Sequence, residues 1–219
     1  SPPAHHDRIN NGRTFFAQGE DMPLAPASNE KLTVTYAALR ELGPSYRFRT
    51  RVVGVGTLVG ATGYGTLGRK GFVDPTLTTL RVQRLVNRLW QRGIRRVDGR
   101  VLGDESWFDA RRTAPGWKAE FFINECPPLS ALVVDRAFYD QHVALRPALA
   151  AAGLFRRLLR AHGVSSGAAA LGRAPAGALA LAQVESEPLP AILQEMDRES
   201  DNFTAELIVK ALGDEIGTG

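Results

Sequence analysis

The chain has 219 residues, 44% of them hydrophobic, enough for one large domain or two small ones with a sizeable core. That excludes a disordered chain, and no apolar run reaches the ~18 residues of a membrane helix. The net charge of +4, from 27 basic and 23 acidic residues, is too slight and too dispersed to indicate a nucleic-acid partner. One cysteine, Cys126, excludes an intrachain disulfide framework. No charged-then-apolar leader opens the chain, so a signal peptide is expected to have been removed or never to have existed.

Residues 1–22 read as a polar entry followed by a strand, RTFFAQGE. His5 and His6 have no third or fourth ligand at a useful spacing, so no metal is expected there. From Asn29 the pattern turns helical, with Leu32, Tyr36 and Leu39 as its apolar stripe and Gly43-Pro44 as its stop. Residues 46–68 read as strands around a glycine-rich turn. In YRFRTRVV, Arg47, Arg49 and Arg51 share one strand face and Phe48 and Val52 the other. The arginine row reads as a solvated face, with an anionic cell-wall polymer as the sharper alternative. Gly54, Gly56 and Gly60 lack the following helix of a dinucleotide fingerprint. GYGTLGRK lacks the lysine and the Ser/Thr of a phosphate-binding loop, so both are hairpin glycines.

Residues 79–92 predict an amphipathic helix with a stripe of Val82, Leu85, Val86, Leu89 and Trp90, closed by Gly93. IRRVDGRVLGD reads as a strand pair and PLSALVVD as another strand. Residues 147–162 predict a helix with Leu154, Leu158 and Leu159 inward. A loop over 165–178 leads to a strand, ALALAQV. A helix over 189–198 carries Leu189, Ile192, Leu193 and Met196, the segment ESDN breaks it, and a last helix runs from Phe203 to Gly213.

Two short segments carry chemistry. Ser28 stands at a helix start with Lys31 three residues on, in PASNEK. Serine there is an ordinary N-cap. It is also where a nucleophile would gain from the helix dipole and meet a base one turn along. A serine hydroxyl needs that base, and an amine serves only once it has lost its proton, which burial and nearby positive potential favour. The second segment is Ser200-Asp201-Asn202, between two helices. Such residues are common turn formers. In a functional reading, Ser200 relays a proton, the Asn202 amide holds substrate backbone and orients Lys31, and Asp201 is structural.

Together, S-x-x-K and S-D-N match two of the three motifs of penicillin-binding proteins and β-lactamases. PLAPASNEKL and MDRESDNFTAELIVKALG closely resemble the D-alanyl-D-alanine carboxypeptidase/endopeptidase family, the S13-like class C low-molecular-mass penicillin-binding proteins. VDPTLTT, GIRRVDGRVLGDESWFD, APGW and LSALVVDR look like its intervening domain.

The resemblance implies a mixed α/β (α+β) fold, a penicillin-binding transpeptidase/β-lactamase-like domain with a smaller inserted α/β domain. The expected division is 1–48 and 147–219 for the transpeptidase-like part and 49–146 for the insertion. It implies a serine acyl-enzyme acting on peptidoglycan stem peptides, periplasmic or extracellular, acylated by β-lactam antibiotics and using no cofactor. By position, Ser28 is the nucleophile, Lys31 the general base, Ser200 the relay and Asn202 the substrate-binding amide. The Ser28 N–H is half of an oxyanion hole. Glu120, after the GW of APGW, is the nearest match to the family's acidic reader of the stem-peptide diamino acid, though out of register.

The chain departs from the family in two places. K-T-G is absent, since the terminal GTG follows Ile216 and comes too soon, so C-terminal strands of the catalytic sheet are expected to be missing. The stretch from DQHVALRP to RAHGV is also shorter than usual. These departures leave two rivals, a non-catalytic or truncated cell-wall-binding relative and a serine β-lactamase or esterase of the same superfamily. A class A β-lactamase fits poorly, because Ser28 and Ser200 are too far apart and no E-x-x-L-N glutamate follows.

Overall fold

The structure, a computed structural model, describes residues 8–9, 13–14, 21–56, 58–59, 62–63, 67–71, 73–107, 109–139 and 141–215. His5, His6, most of RTFFAQGE, Gly60 and the terminal GTG lie outside the described residues. The chain divides into two compact units, Ser1–Glu30 and Lys31–Gly219. In the first, β1 (Arg8–Ile9) pairs antiparallel with β2 (Arg13–Thr14), and a 3-10 turn, Ala27–Asn29, follows.

Helix α1 (Glu30–Glu41) begins at the last residue of the first unit, and the second unit holds the rest of it with β3 (Arg49–Gly54), β4 (Leu58–Val59), β5 (Thr62–Gly63), β6 (Leu67–Gly71), α2 (Thr79–Gln91), β7 (Arg96–Val97) and β8 (Val101–Asp104). There follow β9 (Phe138–Tyr139), β10 (His142–Val143), α3 (Pro147–Ala161), β11 (Ser165–Ser166), β12 (Ala169–Leu171), β13 (Leu179–Glu185), α4 (Leu189–Glu199) and α5 (Asn202–Glu215). The larger sheet runs β12-β8-β6-β3-β13, parallel between β12, β8 and β6 and antiparallel from β6 to β3 to β13. The second runs β11-β7-β5-β4.

Two apolar clusters hold this unit together. In one, Val82, Leu85, Val86 and Leu89 of α2 and Ala148, Ala152, Phe155 and Leu159 of α3 cover the sheet residues Val52, Val101, Ala182 and Val184. The other joins α1, α4 and α5 through Ala38, Leu189, Ile192, Leu193, Met196, Phe203, Leu207 and Ile208, with Phe48, Cys126, Leu129 and Val133 filling in. Each fully buried Leu, Ile, Val, Met or Phe side chain contributes about 1.5–3 kcal/mol of transfer free energy, so the two clusters dominate the stability of the unit.

Several expectations are revised. Of the apolar stripe of α1, Leu32 and Tyr36 point outward, 60% and 65% exposed, while Leu39 packs partly buried against the helix-centred core. Lys31, Val34 and Ala38 face in, at i, i+3 and i+7. A buried lysine is tolerated because polar partners meet it, and the small Ala38 lets the helix pack closely. Trp90 leaves the α2 stripe to lie against the Arg95 guanidinium, 4.0 Å from its ring centroid.

PLSALVVD is buried but forms no strand. Its backbone is satisfied singly: Leu129 N–H donates to Arg112 O, Ala131 O accepts from Val73 N–H, and Asp135 N–H donates to Leu77 O. The two strands of IRRVDGRVLGD form, but β7 and β8 belong to different sheets. The expected 165–178 loop contains β11 and β12, which extend those sheets.

Candidate active site

The S-D-N segment is a helix-to-helix joint. Helix α4 ends at Ser200, whose backbone is left-handed (φ 53, ψ 41). Ser200 N–H donates to Asp197 O at 3.4 Å and Asp201 N–H to Met196 O at 2.9 Å, the pair of bonds that closes a helix when glycine stands there. A serine in this conformation costs about 1–2 kcal/mol relative to glycine. Asp201 then opens α5: its carboxylate accepts from Phe203 N–H at 3.0 Å, Thr204 N–H at 3.4 Å and the Thr204 hydroxyl at 2.7 Å.

Lys31 reaches this joint from the first turn of α1. Its side chain is buried, the residue being 8% exposed. Nζ donates to Asn202 Oδ1 at 2.7 Å and to Ser200 Oγ at 3.4 Å. One turn along the same face, Thr35 Oγ1 donates to Asp197 Oδ2 at 2.8 Å. Helix α1 is therefore pinned across the end of α4 and the start of α5 by three polar contacts beside the apolar ones. With Oδ1 of Asn202 occupied by the lysine, its Nδ2 hydrogens are the part of the amide suited to a ligand.

From the far side, Arg136 donates from Nη1 and Nη2 to the two carboxylate oxygens of Asp201, each at 2.6 Å. Its guanidinium also lies over the Phe203 ring, 4.8 Å from the centroid. Burial alone would raise the Asp201 carboxyl; the hydrogen bonds from Arg136 and Thr204 outweigh it and hold the group below the usual carboxylate range. Arg136 stands in a run of three left-handed residues, Asp135, Arg136 and Ala137 (φ 46, 54 and 60). Asp135 anchors the run by accepting from Thr79 N–H at 3.0 Å and from the Thr79 hydroxyl at the start of α2.

Lys31, Ser200 and Asn202 therefore come together. Ser28 lies in the N-terminal unit, exposed, within the 3-10 turn where Asn29 N–H donates to Pro26 O at 3.0 Å. Glu120 is exposed in a separate 3-10 turn, Ala119–Phe121, and takes no part in the bonds above. Sequence reasoning did not single out Arg136, Thr35 or Asp197. Thr35 had a signal, since it sits four residues after Lys31 on one helix face. Arg136 had none beyond its place in LSALVVDR. Among the described residues no group of three or more His, Cys, Asp or Glu side chains is arranged to hold a metal, and no described helix is long and apolar enough to cross a membrane.

The chain is 32% identical over 215 residues to Carboxypeptidase Rv3627c of Mycobacterium tuberculosis, which covers 90% of this chain and 45% of that relative. It thus spans about half the length of the curated relatives it matches. In fold it is similar to penicillin binding protein 4 (dacB) from Haemophilus influenzae, with a TM-score of 0.84 at 19% identity over 99% of this chain and 63% of that one. A structure of the same Haemophilus protein complexed with a β-lactam gives a TM-score of 0.72 at 21% identity over 99% and 62% of the two chains. Residues 7–147 and 140–219 match the D-Ala-D-Ala carboxypeptidase 3 (S13) family, and the chain belongs to it.

Proposed function

We propose that this protein is a serine D-Ala-D-Ala carboxypeptidase/endopeptidase that cleaves peptidoglycan stem peptides through an acyl-enzyme at Ser28. The observation that carries this reading is the contact of Lys31 Nζ with both Asn202 Oδ1 and Ser200 Oγ. Membership of the S13 family supports the same chemistry. The substrate sets the location, outside the cytoplasmic membrane.

A neutral Lys31 amine has two N–H groups and one lone pair. Its N–H groups serve Asn202 and Ser200, leaving the lone pair to take the Ser28 hydroxyl proton. Ser28 Oγ attacks the carbonyl of the D-Ala–D-Ala peptide bond, and the Ser28 N–H stabilises the oxyanion that forms. Ser200 passes the proton to the departing D-Ala nitrogen as the C–N bond breaks. The Asn202 amide N–H holds a carbonyl of the donor peptide. Water, activated along the same path, then releases the acyl group. A β-lactam ring opens by the same attack and remains as an ester on Ser28.

The test is to treat the protein, expressed from its complete reading frame, with a fluorescent penicillin and map the adduct by mass spectrometry. A single adduct on Ser28, lost in Ser28→Ala, is expected. A folded protein that takes no label, or takes it at another residue, overturns the proposal.

A further inference from the structure

A cavity lies near the other end of α1 from Lys31. Alternation from the residues leading into β3 through its first half turns Phe48, Thr50 and Val52 into the protein and leaves Arg47, Arg49 and Arg51 in a row on the opposite face. Residues two apart on a strand are spaced by about 6.8 Å. The row opens on a cavity of about 540 Å³ that Tyr46, Trp107 and Glu185 also line. None of Lys31, Ser200 and Asn202 lines it. It begins near Leu42, eleven residues along from Lys31, or about 16 Å of helix.

Each arginine is held in place. Arg47 Nη1 donates to Ser186 O at 2.7 Å, Arg49 Nε to Glu185 Oε1 at 3.2 Å and Arg51 Nε to Gln183 Oε1 at 2.8 Å. The anchors for Arg49 and Arg51 come from β13, in register with β3: Glu185 pairs with Arg49 and Gln183 with Arg51. Tyr46 is fixed too, with its ring edge-on to the buried Phe48 at 5.1 Å and 87°. Charge and shape together describe the ligand. Among the described lining residues three are cationic and Glu185 alone is anionic, so an anion is favoured. A cavity of this volume is far larger than a simple inorganic anion, and it falls within the ~300–1,000 Å³ range of small-molecule sites. Tyr46 and Trp107 supply flat apolar surface for the C–H face of a sugar ring. Anchored guanidinium groups supply paired donors for a carboxylate. Glu185 supplies an acceptor for sugar hydroxyls.

We propose that the cavity bounded by Arg47, Arg49, Arg51, Tyr46 and Trp107 binds a carboxylate-bearing saccharide. The site stands on the cavity alone and is independent of the chemistry at Ser28. The probe is N-acetylmuramic acid, titrated into the full chain with tryptophan fluorescence and NMR as readouts. N-acetylglucosamine serves as the neutral sugar, inorganic phosphate as the anion without a ring, and a single-stranded oligonucleotide as the competing polyanion. Saturable binding of N-acetylmuramic acid is expected, at least about tenfold tighter than either small control. It should weaken by roughly tenfold or more in Arg47→Gln/Arg51→Gln, with the thermal midpoint and penicillin labelling unchanged. Trp107→Phe provides a second variant: it keeps an aromatic wall and should keep most of the binding should the double variant prove unstable, whereas Trp107→Ala should lose it. Equal binding of the neutral sugar, arginine-dependent binding of the oligonucleotide in preference to the sugar acid, or no saturable response to N-acetylmuramic acid overturns the proposal. Penicillin labelling is read on the same samples, so failure here is distinct from failure of the acyl-enzyme reading.

Discussion

Arg136 holds Asp201 by both carboxylate oxygens, at 2.6 Å each, from a backbone position that an arginine rarely occupies. The Asp201 side chain is 16% exposed and that of Arg136 46%. The pair is therefore partly desolvated and partly screened. Losing the arginine leaves Asp201 with its α5 contacts but without a counter-charge. Arg136→Ala is expected to cost about 1–3 kcal/mol, discounted for the exposed arginine. Arg136→Lys should recover only part of that, because an ammonium cannot match both oxygens. Urea denaturation of the three proteins checks the order, and equal stability of Arg136→Ala and wild type would count against it.

The same carboxylate makes the fold sensitive to acid. Asp201 titrates below its ordinary value when folded. Glu105 does too: burial would raise it, but hydrogen bonds from Arg112 and Ser130 outweigh that and lower it. A lowered carboxyl favours the folded state at pH above its unfolded value of about 4, and that contribution disappears as pH falls through the folded value. Stability is flat in this respect near neutrality and declines below about pH 4. Asp109, bonded by Lys210, is lowered as well. Asp201→Asn removes one of these titrations while keeping a residue able to cap α5. Thermal midpoints measured from pH 5 down to 2.5 should fall less steeply in this variant than in wild type.

What the sequence conveyed and what it hid follow from the range of the interactions involved. Helices α2 and α4 were legible because Val82, Leu85, Val86 and Leu89, and Leu189, Ile192, Leu193 and Met196, repeat at helical spacing and are all buried. In α1 periodicity placed Leu39 against the core but misplaced Leu32 and Tyr36. Leu32 and Tyr36 are large and apolar, yet the face turned inward includes Lys31, whose burial depends on Ser200 and Asn202 far along the chain. The candidate site was legible as two motifs, and their meeting through Lys31 was expected on that basis. The support behind it was not. Thr35–Asp197 and Arg136–Asp201 join residues with no local pattern linking them. The pairing of β13 with β3 is equally long-range, and it brings Glu185 and Gln183 beside the arginine row.

Cys126 is expected to be inert in the folded protein. It is fully buried, and burial first, then the nearby Glu206 and Asp201 charges, push its thiol up to about 12. The thiolate is the reactive form, so a thiol reagent at pH 8 should find almost none of it. Labelling with a maleimide should be slow in native buffer and complete in denaturant. Rapid stoichiometric labelling under native conditions would show that the helix-centred core opens readily.

Gly103 marks a close approach between the larger sheet and α3. A Cβ there would lie 2.2 Å from Ala148 O and 2.8 Å from Ala148 C, both backbone atoms that no rotamer change can move aside. Gly103→Ala must separate β8 from the first turn of α3. A cost of about 1–3 kcal/mol follows, or roughly 3–10 °C in thermal midpoint. Gly153, which has nothing within 4 Å of a Cβ, is the control: Gly153→Ala in the middle of α3 should be neutral or stabilising by up to about 1 kcal/mol. Calorimetry on the two variants separates a tight contact from a general intolerance of change.

The decisive variant at the candidate site is Lys31→Arg. Arginine can still donate to Asn202 and Ser200, so the α1–α4–α5 joint should survive with little change in thermal midpoint. It cannot give up its proton near neutral pH, and so it cannot accept one from Ser28. If Lys31 serves only to hold the joint together, Lys31→Arg should still label with fluorescent penicillin at close to the wild-type rate. If Lys31 is the base, labelling should slow by about 10²–10⁴-fold while the fold persists. Asn202→Ala distinguishes the partner role. It removes the 2.7 Å contact to Nζ along with the substrate amide, and should weaken labelling even though a lysine is still present. Fast labelling in a folded Lys31→Arg protein would remove Lys31 from the mechanism and require a different base for Ser28.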